Sequence, residues 1–89
     1  MSTTKGEVTV LDPIGLHARP AGQIVKLVKE SGLEVRMGKP GAELVKANSP
    51  LRMMAMKAKT GEVLSVEVDS DDEAVATALI SQIQDFLKG

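Results

Sequence analysis

The hydrophobic pattern changes period several times along the chain. Val8 and Val10 alternate with Glu7 and Thr9, the signature of a strand with one buried face, and the run stops at Asp12-Pro13 because proline cannot continue a ladder. From Ala18 to about Ser31, Ala21, Ile24, Val25, Leu27 and Val28 recur at helical spacing, and Gly32 supplies a helix stop. Leu33, Val35 and Met37 alternate again, Gly38-Lys39-Pro40-Gly41 supplies turn residues, and Val45 with Ala47 predicts the second arm of a hairpin. Asn48-Ser49-Pro50 then predicts the entry to a short helix over about Pro50 to Met56, with a serine cap and a proline at the first helical position. After Gly61, Leu64, Val66 and Val68 alternate with Ser65 and Glu67 as a last strand. Asp69-Ser70-Asp71-Asp72-Glu73 places acidic groups and a cap where a helix begins, and Val75, Leu79, Ile83, Phe86 and Leu87 predict its apolar stripe.

The predicted order is strand, helix, strand, strand, helix, strand, helix. Strands that bury one face suit an antiparallel sheet, so the expected fold class is α/β (α+β): a four-stranded antiparallel sheet with three helices on one face, an open-faced sandwich. At 89 residues there is room for one domain over 1–89 and for no large enclosed cavity.

Composition narrows the function classes. With 11 basic and 12 acidic residues interleaved, and Phe86 the sole aromatic, the chain offers neither a basic field nor stacking platforms, so no nucleic-acid partner is expected. The lack of cysteine removes disulfides and thiolate chemistry and fits a reducing compartment. No apolar run approaches the ~20 residues of a membrane span, and the polar start Met1-Ser2-Thr3-Thr4-Lys5 does not look like a signal peptide. A cytoplasmic monomer without membrane insertion is the expectation. With one histidine, a metal site would need carboxylates for the rest of its shell, and neither a metal nor a cofactor is expected.

That histidine, His17, lies in Gly15-Leu16-His17-Ala18-Arg19-Pro20-Ala21, immediately before the first helical pattern. The opening amides of a helix carry unpaired N–H groups and partial positive charge, which together make a cradle for a phosphoryl group. Arg19 can bring a guanidinium to phosphoryl oxygens, Pro20 sets the backbone of the first turn, and Gly15 permits a tight approach. Taken alone, the same residues also fit a solvated cap with a surface charge beside it.

The heptad at 15 to 21 resembles the active-site signature of HPr, the histidine-containing phosphocarrier family of the bacterial phosphotransferase system. The resemblance runs through the first helix, the hairpin, Asn48-Ser49 before the Met-rich helix, the Gly61-Glu62 turn and the last helix, essentially the whole chain. It implies a phosphoryl carrier rather than an enzyme. His17 is then phosphorylated on Nδ1 by phosphorylated enzyme I, ultimately from phosphoenolpyruvate, and passes the group to a histidine of an enzyme IIA domain for sugar uptake. Arg19 is the charge partner and the backbone around Ala18 holds the phosphoryl oxygens. A nitrogen-related or regulatory branch of the same family would use the same histidine.

The resemblance also implies that Ser49 aligns with a serine that a dedicated kinase and phosphorylase act on in some branches, although a helix cap explains it as well. Pro50 stands where an aliphatic residue is common in those branches, and Arg52 where a small residue is. Leu51 and Met54 share one side of the short helix, opposite Met53 and Met56. The resemblance favours exposure of Leu51 and Met54, which with Leu16 make the expected partner-docking residues; thioethers suit a surface that meets several partners. Ile14 departs from the small polar residue common before the glycine. A protein-binding module with an idle His17 is the rival reading from another class.

Overall fold

In a computed structural model that describes residues 2–89, seven elements follow in the expected order: β1 (Thr3–Thr9), α1 (Ala18–Ser31), β2 (Glu34–Gly38), β3 (Val45–Lys46), α2 (Pro50–Ala55), β4 (Val63–Asp69) and α3 (Glu73–Phe86). The strands form one antiparallel sheet in the order β1-β4-β2-β3. Its inner face follows from the alternation. Val8 pairs with Leu64, Gly6 with Val66 and Thr4 with Val68, so the inward residues of β1 and β4 stack beneath the helices. Leu64, Val66 and Val68 are fully buried there with Val35, Met37, Ile24, Met53 and Ile83.

The other face carries polar groups. Arg36 on β2 donates to both carboxylate oxygens of Asp69 at 2.9 and 3.0 Å, to Glu34 at 3.0 Å and to Glu67 at 3.3 Å. Asp69 sits far below the usual carboxylate range because of the Arg36 hydrogen bonds first and the Thr3 hydroxyl second, with burial opposing. Such a cross-strand cluster ties β1, β4 and β2 together on the wet side.

Three expectations change in detail. β1 begins at Thr3 rather than near Glu7, since its pairing with β4 extends to Thr3 and Asp69. β3 is confined to Val45–Lys46, whose partners are Met37 and Arg36; Ala47 lies past the strand but is still buried, and its amide donates to the Val35 carbonyl at 2.8 Å. The inner stripe of α3 contains Ala76, Leu79 and Ile83, while Val75 is exposed. The reason is close approach: Ile80 lies over Gly6, where an added Cβ would meet its Cδ1 at 3.1 Å. A small residue at 76 allows the helix to lie near the sheet, and the bulkier Val75 turns out.

Near its end, α3 also closes part of the sheet edge. The Gln84 side chain accepts from the Thr9 amide and donates to the Thr9 carbonyl, both at 2.8 Å. The main chain beyond β1 is held in the same way, with the Leu11 and Asp12 amides donating to the Leu87 carbonyl at 2.8 Å. The loop leading to His17 is thus fastened to the end of α3.

Candidate functional site

Two anchors place His17. The Gly15 φ of 87° is in the left-handed region, and a Cβ there would lie 2.8 Å from the Ala58 carbonyl oxygen, so only glycine lets the loop pass this close to the 58–62 segment. The Leu16 amide then donates to the Ala58 carbonyl at 3.0 Å, and the Leu16 side chain enters the core at 6% exposure. This corrects the expectation of Leu16 as a docking residue. Its apolar side chain gains more by filling the space under the loop than by facing water, and it pins the next residue in place.

His17 is that residue and is the N-cap of α1, with extended backbone angles and no side-chain bond to the helix amides. The first helical bond runs from the Ala21 amide to the His17 carbonyl at 3.1 Å. Pro20 has no amide hydrogen, and among the described residues the Ala18 and Arg19 amides meet no acceptor. No acidic residue lies in the first turn. The helix therefore begins with two free donors and an uncompensated dipole beside the imidazole.

The ring has one partner, and sequence reasoning missed it. Asp12 Oδ2 lies 3.0 Å from His17 Nε2, while Asp12 Oδ1 accepts the Ile14 amide at 2.9 Å. The Ile14 amide first, then the His17 ring, hold the Asp12 carboxyl below its ordinary value, against an opposing effect of burial. The residue is therefore an ionised carboxylate at neutral pH. In the sequence Asp12 had only marked a strand end; its one further signal was an acid in the short loop ahead of the histidine.

The remaining expected residues are spread around this centre. Arg19 is exposed on the first turn of α1 and makes no ion pair or hydrogen bond among the described residues, so its guanidinium is available to an anion at the helix start. With His17, Ile14, Gln23 and Phe86 it lines a shallow hollow at the molecular surface. Asp85 also borders the hollow and pairs with Lys88 at 3.1 Å. Ser49 is half-buried at the N-cap of α2, where its hydroxyl accepts the Arg52 amide at a long 3.4 Å. Leu51 is 75% exposed, and Met53 opposite is fully buried. Met54 is only partly exposed and packs on the core, so Leu51 is the projecting apolar residue of α2, while Ile14, 74% exposed, projects beside His17 in the hollow. Among the described residues no group of three metal-ligating side chains converges, and no helix is long and apolar enough to cross a membrane.

Fold and site together define a small open-faced sandwich that presents a histidine ring at an open helix start. The family model described as PTS HPr component phosphorylation site matches residues 4–87, and the chain belongs to this family of phosphotransferase-system phosphocarriers. It is 38% identical to the phosphocarrier protein HPr of Lysinibacillus sphaericus over 82% of this chain and 88% of that one. It is 31% identical to the phosphocarrier protein HPr of Xylella fastidiosa over 86% of this chain and 85% of that one. The fold matches a crystal structure of HPr from Bacillus anthracis with a TM-score of 0.80 at 22% identity, covering 97% of this chain and 98% of the other.

Proposed function

We propose that His17 accepts a phosphoryl group on Nδ1 from phosphorylated enzyme I and passes it to a histidine of an enzyme IIA domain. The observation that carries this reading is the start of α1: Nε2 is engaged by Asp12, Nδ1 is without a partner among the described residues, and the Ala18 and Arg19 amides are free beside it. The phosphoryl oxygens take those amides, as anions do at helix N-termini, and Arg19 swings in as their charge partner. The chain adds no general base because the acceptor already carries a lone pair. It acts as one HPr-like unit in the cytoplasm, exchanging partners through a common face.

That face includes Ile14, which borders the hollow that holds the histidine, and takes in Leu51 and the edge of Met54 on α2. Ser49 is the candidate for regulatory phosphorylation. Its long cap bond is a weak one, and a phosphoserine dianion at the same helix start would obstruct docking beside Leu51 without unfolding the chain.

The test is incubation with phosphoenolpyruvate and enzyme I followed by intact-mass measurement. Wild type is expected to gain one phosphoryl group and lose it when an enzyme IIA domain is added, and His17→Ala is expected to gain none. Absence of the wild-type adduct with a cognate enzyme I, or its persistence in the variant, would overturn the reading.

A further inference from the structure

Asp12 is committed at every polar atom it has. Its amide donates to the Leu87 carbonyl at 2.8 Å, its carbonyl accepts the Gly15 amide at 2.9 Å and the Thr60 hydroxyl, Oδ1 accepts the Ile14 amide, and Oδ2 faces His17 Nε2. At 7% exposure it is one of two polar residues buried in the described chain. A carboxylate fixed in this way cannot turn aside, and it has only acceptors to offer. The hydrogen between it and the ring must therefore belong to Nε2. In a neutral imidazole this leaves the lone pair on Nδ1.

We propose that Asp12 is a positioning residue that selects the acceptor nitrogen of His17, by holding the ring as its Nε2–H tautomer with Nδ1 bare. The proposal deepens the phosphocarrier reading and rests on it. In the transfer step the Nδ1 lone pair forms the new N–P bond while the bond from phosphorus to the donor's ring nitrogen breaks, its electron pair returning to the donor. Nε2 keeps its proton throughout, so the phosphorylated ring is cationic, and the Asp12 carboxylate lies 3.0 Å from the nitrogen that shares this charge. Onward transfer reverses the sequence: the N–P pair returns to Nδ1, and the protonated ring departs as a neutral imidazole. A carboxylate behind a histidine plays the same orienting part at metal sites, where it fixes the tautomer and leaves the other ring nitrogen free to bind.

Asp12→Asn makes a sharp test because it keeps the shape of the side chain. The Ile14 amide still demands the oxygen, so the amide nitrogen turns to Nε2 and presents a donor where an acceptor stood. Imidazole 15N spectra of histidine-labelled protein, followed upward in pH until the ring is neutral, are expected to show the Nε2–H tautomer in wild type and a shift to Nδ1–H in Asp12→Asn. Asp12→Ala is expected to relax toward the mixture of a free histidine. Phosphoryl uptake from phosphorylated enzyme I is expected to fall about 10–100-fold in Asp12→Asn, the usual cost of losing a partner that orients a histidine, and less in Asp12→Ala. A dispersed amide spectrum shows whether each variant is folded.

If Asp12→Asn keeps the wild-type tautomer, or takes up phosphoryl at the wild-type rate, the positioning role is overturned and the carrier reading stands. If wild type takes up no phosphoryl group at all, the carrier reading fails, and the tautomer measurement still decides what Asp12 does to the ring.

Discussion

α1 and α3 have the same length and both follow an extended N-cap residue, yet their first turns are finished in opposite ways. At α3 the Asp72 carboxylate accepts the Ala74 and Val75 amides at 2.9 and 3.3 Å, and Glu73 adds a second negative charge at the positive end of the dipole. At α1 the N-cap is His17, its ring is turned back to Asp12, and the opening amides receive nothing. One helix start is closed by its own side chain; the other is left open. A missing cap therefore carries information when the helix next to it is properly capped.

The largest expected effect comes from closing α1 in the manner of α3. His17→Asn supplies a good capping side chain in place of the ring. Intact-mass measurement is expected to show complete loss of the phosphoryl adduct, while the thermal midpoint does not fall below that of wild type. A second change attacks the loop rather than the cap. Gly15→Ala forces a Cβ against the Ala58 carbonyl in a left-handed backbone conformation and is expected to cost about 1–3 kcal/mol in urea unfolding. It should slow phosphoryl uptake as well, since Leu16 and His17 follow directly. Opening α3 in the manner of α1 is the complementary change: Asp72→Ala is expected to cost about 1 kcal/mol and to leave the rate of phosphoryl uptake unchanged. A loss of transfer in Asp72→Ala would show that the two helix starts are not functionally distinct.

The smallest effect concerns acid. Asp12 and Asp69 both have carboxyls held below their ordinary values, Asp12 chiefly by the Ile14 amide and Asp69 chiefly by Arg36. The unfolded chain therefore binds protons that the folded one refuses, so both groups stabilise the fold above a pH of about 4 and lose that contribution as the pH drops further. Urea midpoints followed downward from neutral pH are expected to decline in this window. Arg36→Met should remove the Asp69 share of the slope and leave the Asp12 share.

Much of this arrangement was legible in the chain because it rests on local rules. The period of two marked β4, Gly32 marked the end of α1, and Asp72 with Glu73 marked the start of α3. His17 was placed correctly at a helix start for the same reason. The misreadings came from contacts between distant segments. Leu16 belongs to the core because the 58–62 segment passes above it, and Val75 points outward because α3 sits low over Gly6. Asp12 reads locally as punctuation since Asp-Pro commonly ends a strand, and nothing in a spacing of five residues says that the intervening loop folds back far enough to join acid and ring. The heptad contains His17 and the start of α1, while the carboxylate that the ring meets lies just outside it.

The pairing of Gln84 with both backbone groups of Thr9 has a consequence for how this protein keeps company. β1 lies at the border of the sheet, where an unpaired strand invites the same strand of a neighbouring molecule to add on. A side-chain amide offers one donor and one acceptor at the spacing of a peptide group, so Gln84 occupies that end of the border as a single rung of a strand that is not there. With that end of the border taken, the chain is discouraged from pairing with itself there.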